Sequence, residues 1–187
     1  MLAYLLNLAT LMCINAVLAI TLNFIMGYAG IFSIAHAIFF GVGAYSAAWL
    51  ALHASANIFL VIPLAMLVAG ALSLVLALPA LRVRGEYFVA ASLGLQVLGV
   101  TVFSEWKSVT GGLGGMIGIP PAELFGHAVA DPVQFLLLAL CCLIPVLLLT
   151  GVLLRSSFGR NLKAIRDSES AAHACGKNVA VIKTLSV

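Results

Sequence analysis

Charge is what this chain has least of. No Asp, Glu, Lys or Arg precedes Arg82, and charged residues make up only 8% of the whole, against roughly 25% in ordinary soluble domains. With 64% hydrophobic residues among 187, there is too little polar surface to cover a soluble core, whereas several bilayer spans need this composition. Cysteine is also scarce: of four, Cys13, Cys141 and Cys142 fall in apolar runs and Cys175 in a polar stretch. That excludes a disulfide framework and leaves packing residues in a reducing or lipid environment. No basic residue precedes the first apolar run, which is in any case too long for a signal peptide. The apolar runs hold no paired carboxylates, the four histidines show no metal-ligand spacing, and there is no nucleotide motif. The glycine-rich Thr110–Pro120 stretch is followed by no Lys-Ser/Thr and preceded by no strand, which excludes a phosphate loop. Its glycines suit a tight external turn region. No feature of an enzyme remains, and no metal site.

The apolar runs that are present predict an all-α, polytopic transmembrane helical bundle of about five complete spans plus the start of a sixth. The spans run about Leu2–Met26, Ile31–Leu52, Asn57–Ala80, Phe88–Phe103 and Val133–Leu154, and Val179–Val187 begins another that stops short of about 20 residues. The first span carries Asn7, Thr10, Asn15, Thr21 and Asn23, polar groups expected to hydrogen-bond to neighbouring helices. The second is broken at its start by Gly27-Tyr-Ala-Gly30 and is rich in small residues that permit close helix approach. His36 within it is either bonded to a neighbouring carbonyl or a functional group, as intramembrane ionisable residues often are. The net charge of +3 gathers in two loops, around Arg82 and after Arg155. It therefore reports orientation and not nucleic-acid binding. Both loops are expected to be cytoplasmic, with the loop from Glu105 to Asp131 extracytoplasmic. Counting back then puts Met1 outside, unless Gly27–Leu52 is re-entrant or broken.

The polar stretch Arg155–Asn178, RSSFGRNLKAIRDSESAAHACGKN, has five basic residues (Arg155, Arg160, Lys163, Arg166, Lys177) facing Asp167 and Glu169. Gly159-Arg160 opens a periodic segment in which Leu162 and Ile165 share one side of a helix. Asp167 and Ser168 can cap a second, shorter helix that Gly176 ends. A helix of about two turns is marginal alone in water, so this element is expected to dock on something.

Several of these motifs carry a resemblance. The string Leu22–Ala48, LNFIMGYAGIFSIAHAIFFGVGAYSAA, is similar to the second-span signature of branched-chain amino acid permeases of the LivM type. Leu81-Arg-Val-Arg-Gly-Glu-Tyr87 and the Thr110–Pro120 loop also resemble that family. Glu169-Ser-Ala-Ala172 with Gly176 looks like the EAA loop of bacterial ABC-transporter permeases. The resemblance implies one transmembrane permease domain over 1–187, incomplete at its C-terminus, with residues 155–178 forming a short cytoplasmic coupling helix within it. Gly159, Arg160, Ala164, Ile165, Arg166, Glu169, Ala171, Ala172 and Gly176 would form the ATPase-coupling loop. Asn23, Gly27, Gly30, Ser33, His36, Gly41 and Gly43 would lie on or near the translocation path.

The function so implied is that of a permease subunit of an ATP-driven importer in the bacterial inner membrane. It would have no catalytic site or cofactor of its own. Its partners would be ABC ATPase subunits that bind ATP-Mg, a second homologous permease and a periplasmic or extracellular substrate-binding protein, all at a lipid bilayer. Branched-chain or other amino acids are the implied cargo, with urea or short amides as alternatives in the same family. An ATP-independent secondary transporter or channel would be marked by a mid-span Asp, Glu or Arg, and the spans show none. An intramembrane enzyme would need a nucleophile–base pair.

Overall fold

A computed structural model describes residues 1–80, 86–124, 127–179 and 181–182, with side-chain detail for these except 76–80, 86 and 169. The basic cluster Arg82/Arg84 and most of the expected sixth span lie outside the described residues. The chain runs α1 (Leu2–Asn23), a π-helical turn (Phe24–Tyr28), α2 (His36–His53), α3 (Ile58–Ala80), α4 (Glu86–Glu105), α5 (Lys107–Thr110), a 3-10 turn (Gly112–Gly114), β1 (Glu123–Leu124), β2 (His127–Ala128), α6 (Pro132–Arg155), α7 (Ser157–Asp167) and α8 (Glu169–Ala174). The described residues are all-α apart from one small antiparallel strand pair. The described residues form two compact units, one of Met1–Phe32 with Asp131–Val187 and one of Ser33–Ala130.

Among the described residues, four helices are long and apolar enough to cross a membrane: Leu2–Tyr28, Ile58–Val75, Tyr87–Glu105 and Pro132–Arg155. The expected second span is not one of them. Its helix starts only at His36 and has 18 residues, as many as Ile58–Val75, but with His36 and His53 at its two ends it is less apolar than the four. The residues before it are taken up by the break that follows the first helix.

In the first unit α1 packs against α6, and α7 folds back after α6. Three polar side chains of α1 bond back to carbonyls of their own helix. Thr10 Oγ1 donates to the Leu6 carbonyl at 2.9 Å, Asn15 Nδ2 to Leu11 at 2.9 Å, and Thr21 Oγ1 to Val17 at 3.0 Å. Bonding one turn back in this way satisfies the side chain within the span. Neither α1 nor α6 buries a residue, and side chains such as Leu137 and Leu148 stand exposed. Such wide apolar surfaces are faces for lipid or for other helices.

In the second unit α2 packs along α3 and also meets α4, and small residues meet large ones along the α2–α4 seam. A β-carbon added to Gly99 would lie 2.6 Å from Ile38 Cδ1, and one added to Gly41 would lie 2.8 Å from Phe103 Cε2. Phe103 also stacks obliquely on Tyr45, with ring centroids 4.8 Å apart. Buried Ser92 accepts from the Ile34 backbone N–H at 3.1 Å and donates to the Val89 carbonyl at 2.8 Å. The connection after α4 is organised by buried Thr110, whose hydroxyl lies 2.7 Å from the Phe103 carbonyl and 2.8 Å from that of Trp106. Four glycines at positive φ follow, Gly111, Gly112, Gly115 and Gly118, consistent with the tight turn region expected there. The strand pair is tied to the α2–α3 connection by Glu123 N–H donating to the Ala56 carbonyl at 2.8 Å.

Candidate functional site

The polar stretch after α6 folds as two capped helices. The Ser156 side chain accepts from the Phe158 N–H at 3.2 Å and opens α7, a cap of the kind that contributes about 1 kcal/mol. Buried Gly159 sits directly on the end of α6: an added β-carbon would collide with the Leu154 carbonyl oxygen and lie 2.7 Å from that of Leu153. Leu162 (0% exposed) and Ile165 are buried on the same side of α7, as their spacing predicts. Ser168 caps α8 by accepting from Ala171 N–H at 3.3 Å. The exit of α8 carries paired closing bonds, Gly176 N–H to the His173 carbonyl at 3.0 Å and Lys177 N–H to that of Ala172 at 3.2 Å. These are the two bonds of a Schellman motif, which requires the left-handed conformation that Gly176 adopts with φ 74°.

Asp167 does not share the capping role expected of it. Its Oδ1 accepts from Arg166 Nε at 3.1 Å and Nη2 at 3.0 Å. The third donor, Arg166 Nη1, reaches the Gly27 carbonyl at 2.8 Å. Arg166 and Asp167 are both exposed, and such a surface pair contributes only about 0–1 kcal/mol. Its effect is to orient the guanidinium, which then carries the contact to the end of the first helix. Gly30, with φ 69°, lies so close to the Arg166 stem that an added β-carbon would be 2.6 Å from its Cγ. Lys163 Nζ sits 5.2 Å from the centroid of the Tyr28 ring, within cation–π reach. So α7 rests on the Gly27–Gly30 break through two cationic side chains.

Of the residues singled out in the sequence, the structure therefore brings Arg166 together with Gly27 and Gly30. Gly27 also abuts Asn23: an added β-carbon would lie 2.6 Å from Asn23 Oδ1. Ser33, His36, Gly41 and Gly43 belong to the other unit. There His36 is the half-buried first residue of α2, Gly41 meets Phe103, and Gly43 is in ordinary contact with the Ala69 methyl at 3.9 Å.

Within the polar stretch Arg160, Ala164 and Ala171 face outward, and Arg160 Nη1 donates to the Arg155 carbonyl at 3.2 Å. Glu169 is the first residue of α8. Ala172, in contrast, is 6% exposed and buried in a cluster with Ile165 and Val179, against which Ile182 packs. Tyr28, Lys163 and the orienting role of Asp167 are additions from the structure. One signal in the sequence pointed that way, since carbonyls at a helix end interrupted by Gly-Tyr-Ala-Gly need donors from elsewhere.

Among the described residues no group of His, Cys, Asp and Glu could hold a metal ion, and all four cysteines are free thiols.

The family model for the permease component of branched-chain amino acid transport systems matches residues 4–187. The chain is 29% identical over 200 aligned positions to the high-affinity branched-chain amino acid transport system permease protein LivM of Salmonella typhimurium, and equally to LivM of Escherichia coli. Each match covers 95% of this chain and 47% of the relative, so the chain spans about half the length of the curated relatives it matches. No solved structure matches it significantly. Four membrane-length helices, the capped helix pair after α6 and a match over nearly the whole chain lead to one assignment: this chain belongs to the branched-chain amino acid transport system permease family, whose members are ABC-type transport subunits and not enzymes.

Proposed function

We propose that the chain forms the membrane-crossing part of a permease subunit in an ATP-driven importer of branched-chain or other amino acids, and that α7–α8 is where a separate ATPase drives it. The observation that carries this proposal is the construction of the α7–α8 pair. Both helices are capped, they are closed on their own apolar cluster, and α7 rests on the end of the first helix. A loop that only fixed topology would need none of these. ATP-Mg would bind in the ATPase subunits, and a second permease of the same kind would complete the path. A binding protein would deliver substrate to the face carrying Thr110–Pro120. The basic bias of 155–178 supports a cytoplasmic position for α7–α8 in a bacterial inner membrane. Drive would arise from contacts on α7–α8 that differ between two states of the ATPase.

Five complete spans within one permease domain, and not four, fit this arrangement. The Arg166–Gly27 bond puts the end of α1 on the side of the membrane where α7 lies. The Glu123–Ala56 bond puts the α2–α3 connection with the α4–α6 connection. With α6 taken as a crossing, α2 is proposed as the fifth span. Its 18 helical residues are supplemented by the non-helical residues that precede it.

The test is purification of the complex from native membranes, identification of the co-eluting subunits, and uptake of radiolabelled leucine by the reconstituted complex. An ATP-binding cassette subunit and ATP-dependent uptake are expected. Uptake without any ATPase subunit would overturn the proposal, and competition by urea or a short amide but not leucine would reassign the cargo.

A further inference from the structure

We propose that Arg166 is a positioning residue that ties movement of α7 to the end of the first helix, an inference that rests on the coupling role given to α7–α8 above. The π-helical turn Phe24–Tyr28 is where α1 loses its regular bonding. Ala29 N–H returns to the Phe24 carbonyl at 3.3 Å, and Ile31 N–H reaches back to Ile25 at 3.3 Å. Carbonyls at such an end need outside donors, and short π-helical insertions are frequent at functional sites. Gly27 supplies one of these carbonyls, and the donor it receives is the guanidinium of Arg166, at 2.8 Å.

Three features make this contact a mechanical joint. Asp167 fixes the guanidinium through two donors on one carboxylate oxygen, leaving Nη1 directed at Gly27. The arginine stem fills the space beside Gly30, where a side chain would collide with it. Lys163, three residues earlier and hence one turn away on the same side of α7, covers the Tyr28 ring. Displacement of α7 must therefore carry the Gly27–Gly30 break with it or break a charge-assisted hydrogen bond. Since α1 continues directly from that break, the first helix is the element to which a push on α7–α8 is delivered.

Native Cys13, half-buried in α1, can report this without knowledge of the cargo. In the assembled transporter with Cys141→Ser, Cys142→Ser and Cys175→Ser, the rate at which Cys13 reacts with a membrane-permeant thiol reagent is measured with and without ATP plus vanadate. ATPase co-purification and membrane abundance are followed in parallel. With Arg166 present, nucleotide should change the rate by at least about five-fold, the lower end of allosteric couplings. Arg166→Gln should lose most of that change when the rate is compared per ATPase bound, a result that a merely structural role would not give. An Arg166→Gln complex that responds like the parent overturns the inference alone, as does a parent complex whose Cys13 ignores nucleotide. Failure of the parent to bind any ATPase overturns the coupling role itself and this inference with it. Should Arg166→Gln fail to accumulate, Asp167→Ala decides. It keeps the donor but frees the guanidinium, so a reduced response supports the joint and an unchanged one overturns it.

Discussion

Arg166 donates from Nη1 to the Gly27 carbonyl at 2.8 Å, across 139 positions of sequence. One bond thereby joins the helix pair that follows α6 to the break that ends the first membrane helix. The two residues meet because α1 lies along α6, so that the chain leaving one and the chain entering α7 from the other share an end. The bond is directional and one partner is a full charge, so it is stronger than a contact between neutral groups. It also fixes sidedness, since a side chain of ordinary length cannot reach a carbonyl across a bilayer core of about 30 Å.

That sidedness gives the first prediction. Starting from a chain with its four cysteines replaced by serine, Ala54→Cys, Leu113→Cys and Ser170→Cys each place one thiol at an exposed position. Ala54→Cys and Leu113→Cys should react with an impermeant maleimide added outside intact cells. Ser170→Cys should react only after the membrane is opened. If position 54 instead behaves like position 170, α2 does not cross and the chain has four spans.

Gly30 supplies a second. An alanine at φ 69° costs about 1–2 kcal/mol for the left-handed backbone alone, and its methyl would lie 2.6 Å from Arg166 Cγ. Gly30→Ala should therefore lower the melting temperature of the purified complex by more than Arg166→Ala does. Combining the two should recover the steric part of the loss and leave the backbone part. The non-additivity between such touching residues is expected to be about 0.5–3 kcal/mol; strict additivity would mean that Gly30 and the arginine stem do not meet.

The helices and the capped segment after α6 were legible in the sequence because they rest on local rules. Apolar runs gave α1, α3, α4 and α6, and the spacing of Leu162 and Ile165 gave the buried side of α7. Ser168 and Gly176 then marked the two ends of α8. Two things were not legible. The start of α2 depends on where the π-helical turn and Gly30 release the chain, and a run of apolar residues from Ile31 onward conceals that. The pairing of Arg166 with Gly27 is non-local, and no periodicity in either segment encodes it. Ala172 illustrates the same limit: a small residue in a short helix is compatible with an outward or an inward face. Only the packing of Val179 and Ile182 against it decides for the inward one.

The α2–α4 seam yields a third prediction. Gly99 lies under Ile38, with an added methyl 2.6 Å from Cδ1 and 2.9 Å from Cγ1. Gly99→Ala should cost about 1–3 kcal/mol by overpacking, and Ile38→Ala about 2–5 kcal/mol by leaving a cavity. The double variant should cost clearly less than the sum, because the new methyl fills part of the space the isoleucine vacates. Thermal melts of the four proteins in one detergent measure this, and a double variant as costly as the sum would show that the two helices do not meet there.

The last prediction separates Ala171 and Ala172, whose exposure differs although they are adjacent. Ala172, 6% exposed, packs with Ile165 and Val179, so Ala172→Arg forces a long charged side chain into an apolar cluster. Overpacking alone costs about 1–3 kcal/mol, and an unpaired buried charge costs considerably more. That variant should lose α8, and with it membrane abundance, whether or not an ATPase is bound. Ala171 faces outward, and arginine is nearly as good a helix former as alanine. Ala171→Arg should thus leave abundance and melting temperature within about 0.5 kcal/mol of the parent, as surface substitutions usually do. If α8 docks on an ATPase through its outward face, the same substitution puts bulk and charge into the contact and should detach the ATPase or abolish ATP-dependent uptake. Loss of ATPase binding at normal abundance would identify the docking face. An Ala171→Arg protein that binds the ATPase and transports like the parent would exclude that face. Docking would then have to be sought on the exposed side of α7, at Arg160 and Ala164.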